Sequence, residues 1–151
     1  MKLSTKGRYA MVALADLALA GQGVTMPLTT IAARQQISTA YLEQLFVKLR
    51  RAKLVQSVRG PNGGYQLAQD AKEIKIVAIL QAVDERVGIG RVDAAMGGTS
   101  GTKAQSLTNR LWEGLSANVY VFLHQVSLAD VVENKLAPCP AVPNILSIVD
   151  E

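Results

Sequence analysis

Residues 37–67 read ISTAYLEQLFVKLRRAKLVQSVRGPNGGYQL, and this stretch decides the fold. Ser38 or Thr39 can cap a helix, and apolar residues follow at positions 42, 45, 46 and 49, the spacing of one helical face. A shorter helical pattern precedes it, with apolar residues at 28, 31 and 32. Two helices joined by about three residues predict a helix-turn-helix unit.

The residues after the second helix predict a β-hairpin. Strands at Leu54–Val58 and Tyr65–Ala68 flank the turn sequence RGPNGG, in which Gly and Asn accept positive φ and Pro61 presets a turn. A hairpin directly after a basic helix is typical of the wing of a winged helix-turn-helix domain, whose tip can approach phosphates or the minor groove. A plain surface hairpin is the alternative.

The outward face of the second helix carries the groups that DNA recognition needs. Tyr41, Gln44, Lys48 and Arg51 follow at helical spacing on the side opposite the apolar face, although any amphipathic helix has a polar outside. Amide and hydroxyl groups can reach base edges, and cations can meet phosphates. The sequence therefore predicts this set of DNA-binding residues: Lys6, Arg8, Ser38, Thr39, Tyr41, Gln44, Lys48, Arg50, Arg51, Ser57, Arg59, Gly60 and Pro61.

Charge is unevenly distributed along the chain. Residues 1–60 hold nine Lys/Arg against two Asp/Glu, a net charge of +7, whereas residues 61–151 hold seven against ten, a net charge of −3. This asymmetry indicates a polyanion as the partner of the first half, although a solvated basic face would give the same count. The single cysteine, Cys139, cannot form an internal disulfide, which favours a reducing, cytoplasmic setting.

Flanking segments predict further helices around this unit. Apolar residues at 9, 12, 14, 17 and 19 recur at helical spacing around Asp16, which favours a helix over a secretory leader. The segment IVAILQAVDE places Ile76, Ile79, Leu80 and Val83 on one face of a helix that closes the core. The expected fold is mainly α with a small β-hairpin, and residues 1–88 form the winged helix-turn-helix domain.

The C-terminal part predicts a long helix that pairs with a second copy of the chain. From Ser106 to Phe122, large apolar residues recur every three or four positions beside Trp112. This apolar face is larger than the core of a chain of this size can cover, so pairing with a second copy is expected. Packing back onto its own domain is the alternative. Ser127 then begins a short helix with Asp130 completing a capping box. The expected divisions are a glycine-rich loop at 89–105, dimerisation helices at 106–135 and a proline-rich tail at 136–151.

These motifs resemble a known family, the IscR-type iron-sulfur cluster regulators of bacteria. The resemblance is carried by MKLSTKGRYA, by residues 37–67, by AVDE at 82–85 and by LTNRLWEGLSANVYVFLHQVSLADVVEN. The combination of YLEQLF with RGPNGGY is specific to that group. The resemblance implies a homodimer whose first half binds promoter DNA, as a repressor of iron-sulfur assembly or iron-responsive genes, and whose long helix forms the dimer interface.

The glycine-rich loop departs from that family. The resemblance implies three cysteines here and a histidine just inside the long helix, which together hold a 2Fe-2S cluster through soft ligands. The corresponding positions hold Val92, the glycines between 97 and 101, Ser106 and Asn109. None is a normal cluster ligand, so the family's usual ligand set is absent and the segment reads as a former sensor loop.

Three interpretations of that departure stay open. In the first, the chain regulates without a cofactor. In the second, other groups hold an iron-sulfur cluster, with Cys139 and His124 as candidates and carboxylates such as Asp84, Glu85, Asp93 and Glu113 beside them. In the third, the cysteines were removed by engineering, which a two-residue change in loop length disfavours. Cys139 is as readily an incidental tail cysteine, and a lone histidine such as His124 is more often an interface residue than a ligand.

Other function classes are weaker. An enzyme is not expected, because no phosphate loop, Gly-x-Ser-x-Gly or His-Glu-x-x-His motif occurs and the one histidine and one cysteine are far apart. A nonspecific nucleic-acid or RNA binder would share the basic half. However, the chain has only two Phe, four Tyr and one Trp and no run of aromatic residues on which bases could stack.

Overall fold

The structure, a computed structural model, describes residues 4–84 and 101–136. Most of the predicted loop at 89–105, and all but the first residue of the predicted tail at 136–151, lie outside these ranges. The described residues are mainly helical with one two-stranded sheet, which confirms the expected fold class. In chain order the elements are α1 (Thr5–Ala20), α2 (Leu28–Gln35), α3 (Thr39–Arg51), β1 (Val55–Val58), β2 (Gly64–Leu67), α4 (Ile76–Ala82), α5 (Lys103–Gln125) and α6 (Leu128–Val132).

The turn between α2 and α3 forms as the sequence predicts. Helix α2 ends at Gln35, and its cap residue Gln36 takes the left-handed conformation with a φ of 55°. Ser38 then caps α3, because its hydroxyl accepts a hydrogen bond from the Tyr41 backbone N–H. The apolar face of α3 is buried in the core, through Leu42, Leu45, Phe46 and Leu49.

The hairpin is antiparallel and lies against the start of α2. Val55 is paired with Leu67 and Val58 with Gly64, close to the predicted strands. Tyr65 also exchanges two backbone hydrogen bonds with Met26, at 2.8 and 2.9 Å. Strand β2 is therefore held from both sides, by β1 and by the segment that leads into α2.

The N-terminal helix α1 is central to the core, which buries only part of the predicted apolar pattern. Ala10, Ala13, Leu14 and Leu17 are buried, whereas Val12 and Leu19, counted on the apolar face, are exposed. The sequence pattern favoured large side chains, while the actual contact uses alanines that let α1 approach α4 and α6 closely. None of the helices in the described ranges is both long and apolar enough to cross a membrane.

The last two helices are α5 and α6, and the junction between them is hydrogen-bonded to the start of α4. Ser127 and Asp130 form the predicted capping box of α6, and Leu128 is fully buried. Two backbone hydrogen bonds, from Ile76 to Val126 and from Leu128 to Ile74, tie this end to the start of α4. Helix α5 begins at Lys103, three residues before the predicted start, because Thr102 and Gln105 form a capping box there.

Candidate DNA-binding surface

The outward face of α3 presents several of the predicted side chains together. Gln44 and Arg51 are exposed on the side of the helix away from the buried leucines, and Arg50 is exposed on the flank of the helix, one turn after the buried Phe46. Gln44 offers an amide that can both donate and accept, and the two arginines lie in the last turn, where cations are favourable. This arrangement can place an amide against base edges with arginines beside it for phosphates.

The start of α3 places Ser38 and Thr39 at the edge of this face. Ser38 is exposed, and its oxygen serves as the helix cap. Thr39 is half-buried and lines a groove between α3 and the wing. The predicted role of both residues in DNA binding remains a prediction, since a cap alone explains a serine at position 38.

Tyr41 does not lie on the open face as the sequence pattern predicted. It is half-buried against the core, and its ring stands edge-on to Tyr9 of α1 at 5.8 Å between centroids. Tyr41 is only one residue from the fully buried Leu42, and a long aromatic side chain at that margin folds onto the neighbouring helix. Its main contact is therefore within the domain.

Two lysines that the sequence predicts to bind DNA, Lys6 and Lys48, both contact Asp84, which follows α4. The Lys48 ammonium lies 2.7 Å from Asp84 Oδ2, and the Lys6 ammonium donates to the Asp84 backbone carbonyl at 3.2 Å. The hydrogen bond and positive charge of Lys48 hold the pKa of the Asp84 carboxyl below its ordinary value. From the sequence, Asp84 is a candidate only as a carboxylate ligand for a cluster, and no spacing rule links it to residue 48.

The wing carries the remaining predicted contacts. Ser57 on β1 and Arg59, Gly60 and Pro61 at the tip are all exposed. Gly60 has a φ of 119°, which a residue with a side chain adopts only with strain. The tip can therefore bring backbone and the Arg59 guanidinium close to a strand of DNA.

A groove separates α3 from the wing. Thr39, Glu43 and Val47 line it on the helix side, and Gly63, Gly64 and Tyr65 line it on the wing side. In the sequence, Glu43 is one of the two acidic residues of the first half and no motif assigns it a role. Its position one residue before Gln44 was the available signal that it borders the same surface.

Two further basic residues differ in their surroundings. Arg8 of α1 is exposed, as expected for a residue that meets DNA. Arg34 of α2 instead pairs with the buried carboxylate of Asp16 at 3.3 Å and contacts the Met26 sulfur at 2.8 Å. Part of the positive charge of the first half is thus neutralised by an ion pair within the domain.

The candidate cluster ligands are not assembled in the described part of the chain. His124 is exposed on α5 and stacks on Tyr120 at 5.6 Å between ring centroids, while Cys139 lies outside the described residues. Within residues 4–84 and 101–136, no three His, Cys, Asp or Glu side chains come together to hold a metal ion. Ser106 and Asn109, at two of the family's ligand positions, offer no thiolate or imidazole, so these residues do not fit a 2Fe-2S cluster.

A helix-turn-helix pair followed by a hairpin wing defines the class of winged-helix DNA-binding transcription regulators. The chain belongs to the Rrf2 family, whose model carries the description "Iron-dependent Transcriptional regulator" and matches residues 3–134. The resemblance seen in the sequence is thereby confirmed.

Individual relatives agree with this assignment. The chain is 60% identical over 154 residues to the HTH-type transcriptional regulator IscR of Cereibacter sphaeroides, covering 100% of this chain and 99% of the relative. The solved structure of T. potens IscR is 32% identical with a TM-score of 0.70, covering 97% and 96% of the two chains. CymR, the global cysteine regulator of B. subtilis, is 30% identical with a TM-score of 0.75, covering 89% and 98%. The chain is a transcriptional regulator of the IscR type, not an enzyme.

Proposed function

We propose that the chain is a homodimeric, sequence-specific DNA-binding regulator that acts in the cytoplasm as a repressor of iron-sulfur assembly or iron-responsive genes. The observation that carries the proposal is the exposed face of α3 beside an exposed, glycine-rich wing. Gln44, Arg50 and Arg59 are open to a partner, and the buried side of α3 is fixed to the wing. The similarity to IscR supports iron-sulfur assembly or iron-responsive genes as the targets.

In this proposal the two parts of the surface have different tasks. Gln44 reads base edges in the major groove, while Arg8, Arg50 and Arg51 meet phosphates. The wing follows the backbone with Arg59 and the tip glycine. Residues 1–88 thus bind DNA, and the helices at 106–135 join two copies.

A gel-shift series tests the DNA-binding proposal. Gln44→Ala should reduce discrimination between a selected duplex and single-base variants by about 1–3 kcal/mol, whereas Arg59→Ala should weaken all duplexes to a similar extent. Binding by the wild type should weaken steeply with added salt, because phosphate contacts release counterions. Gln81→Ala, an exposed glutamine on α4, is the matched control. Binding that ignored salt and both substitutions would refute the proposal.

Helix α5 supports the homodimer. The structure describes all of its residues, and none is buried. Leu107, Leu111 and Leu115 recur every four positions and are 55%, 61% and 41% exposed, with Phe122 at 55%. An apolar face of this kind is typical of a protein–protein interface, and the same face on a second copy is its natural complement.

A charge placed on that face tests the dimer. Leu111→Glu should shift the protein from dimer to monomer in sedimentation or light-scattering measurements, because the carboxylate would be buried in an apolar interface. Glu113→Lys changes an exposed side chain on the opposite side of the same helix and should leave the dimer intact. A wild type that is monomeric at micromolar concentration would overturn this part of the proposal.

A second candidate concerns the signal. Cys139 and His124 are the only cysteine and histidine in the chain, so a cluster shared by two copies would draw on one of each per chain. Wild type and Cys139→Ser are purified anaerobically, and their absorption spectra and their iron and sulfide contents are measured. These measurements distinguish a bound cluster from cofactor-free regulation. Iron and sulfide that disappear in the variant would support the cluster. A colourless, iron-free wild type that still binds DNA would exclude it.

A further inference from the structure

Asp84 occupies a position where it controls a cation on the recognition helix. Its Oδ2 lies 2.7 Å from the Lys48 ammonium, the length of a charge-assisted hydrogen bond to a carboxylate or a phosphate. Lys48 lies four residues after Gln44 and three before Arg51, so it shares their face of α3. The ammonium that is best placed to meet a phosphate beside Gln44 already has an anionic partner.

The position of Asp84 is fixed by its own backbone. The preceding residue, Val83, is fully buried, and the Asp84 N–H donates to the Gln81 carbonyl at 3.1 Å. Lys6 donates to the Asp84 carbonyl at 3.2 Å from the first turn of α1. Asp84 has a φ of 58°, which aspartate and asparagine tolerate better than most residues. Its carboxylate is therefore held in front of α3 rather than carried there by a mobile segment.

Stability does not account for this ion pair. The side chains of Lys48 and Asp84 are 41% and 72% exposed, and ion pairs of that exposure contribute little to folding. An exposed pair can nevertheless change binding, because a cation that is already neutralised gains less from a phosphate.

We propose that Asp84 is an internal competitor of DNA, whose carboxylate takes the place of a backbone phosphate on Lys48 and thereby lowers the affinity of the recognition helix. The inference rests on the proposed DNA-binding function and adds an autoinhibitory residue outside the helix-turn-helix and wing. DNA must displace the carboxylate to gain the full contact of Lys48. The opposite role, in which Asp84 orients Lys48 toward a phosphate, predicts weaker binding when the carboxylate is removed.

Asp84→Asn tests the proposal, because asparagine keeps the backbone conformation and removes the charge. The probe is a duplex selected from a random-sequence pool by the wild type, with a nonselected duplex of equal length beside it. We expect both duplexes to bind roughly two- to fivefold more tightly at low salt. The slope of log K against log salt should steepen by about 0.9, the value of one additional phosphate contact.

Two controls isolate the pair. Glu73→Gln removes another exposed carboxylate, and it reports what the loss of one negative charge does by itself. In a Lys48→Ala background, Asp84→Asn should have no effect beyond that of Glu73→Gln. Thermal melting confirms that each variant is folded.

The outcomes are distinct. If Asp84→Asn binds no more tightly than Glu73→Gln, or binds more weakly than the wild type, the competitor role is wrong. If the wild type itself shows no salt-dependent binding to either duplex, the proposed function fails instead. A gain in affinity that survives Lys48→Ala would also overturn the inference, because the gain would not pass through Lys48.

Discussion

Tyr65 of the wing stands edge-on to Phe46 of α3, with ring centroids 5.0 Å apart and ring planes at 66°. Phe46 is fully buried, while Tyr65 is half-buried and joined to Met26 by two backbone hydrogen bonds. The contact fixes the wing against the recognition helix. This aromatic pair is therefore one of the contacts that set the angle between the two parts of the DNA-binding surface, together with the backbone hydrogen bonds to Met26.

Replacing Tyr65 should affect DNA binding more than folding. Tyr65→Ala removes an edge-to-face contact that contributes about 0.5–1.5 kcal/mol beyond its buried area, and with it one of the contacts that hold the wing at its angle to α3. We expect DNA affinity to fall by more than the loss in unfolding free energy. Tyr65→Phe keeps the ring and should behave as the wild type in both denaturant titration and gel shift. Equal DNA affinity for Tyr65→Ala and wild type would show that the wing needs no such support.

Gly64 makes a second prediction about the wing. A Cβ at this position would collide with the backbone carbonyl of Met26, which the strand approaches through the paired hydrogen bonds of Tyr65. Gly64→Ala should separate β2 from the segment before α2 and weaken DNA binding. Gly114→Ala, where a Cβ meets nothing within 4 Å of the same chain in the middle of α5, should instead stabilise the helix by about 0.5–1 kcal/mol when it is tested in the monomeric Leu111→Glu background. Circular dichroism melts and gel shifts of the two variants decide the matter, and an unaffected Gly64→Ala would contradict the close approach.

The ion pair between Arg34 and Asp16 predicts a loss of stability without a loss of DNA contact. Asp16 is 7% exposed, and its carboxylate also accepts a hydrogen bond from Gln35. Arg34→Ala leaves this buried charge with one neutral partner and should cost about 1–2 kcal/mol of unfolding free energy. Asp16→Asn should reduce that cost in the double variant. Folded Arg34→Ala should bind DNA as the wild type does, and a reduced salt dependence would show that Arg34 meets phosphates after all.

Local pattern made the helix-turn-helix unit, the hairpin and the capping box of α6 predictable. The interactions of Ser38, of the turn sequence RGPNGG and of the pair Ser127–Asp130 all join residues that are close together in the sequence. Such interactions can be predicted from the local pattern alone. The resemblance to IscR-type regulators added the function class, which no single helix pair could establish.

Partners distant in sequence could not be predicted. Lys48 and Asp84 are 36 residues apart, and Arg34 and Asp16 are 18 apart, so nothing in the local pattern pairs them. The net charge of the first half does not distinguish Lys48 and Arg34, which have acidic partners within the domain, from cations that are available to DNA. The buried face of α1 was predictable only in part. Leu14 and Leu17 of the apolar pattern are buried, but periodicity does not identify the small residues Ala10 and Ala13 that are buried beside them.

The capping box of α6 predicts a pH dependence of stability. The Ser127 backbone N–H and its hydroxyl hold the pKa of the Asp130 carboxyl below its ordinary value of 3.8. Because the folded state binds the proton less readily than the unfolded state, the contribution of Asp130 is present above the unfolded pKa and lost as the pH falls through the folded pKa. Leu128 and Ala129 are buried next to this box, so weakening it loosens the junction between α6 and the core.

Melting temperatures between pH 7 and 3 measure this contribution against two variants. Asp130→Asn should lower the melting temperature at pH 7, and its distance from the wild type should begin to narrow as the pH falls below the ordinary value of 3.8, where the unfolded-state carboxyl takes up a proton, and should close as the pH passes through the lower folded-state pKa. Ser127→Ala removes only the hydroxyl; it should cost about 0.5–2 kcal/mol at neutral pH but keep part of the acid sensitivity, since the backbone donor remains. A constant distance between wild type and Asp130→Asn over the whole range would mean that the Asp130 carboxylate does not stabilise the cap by its charge.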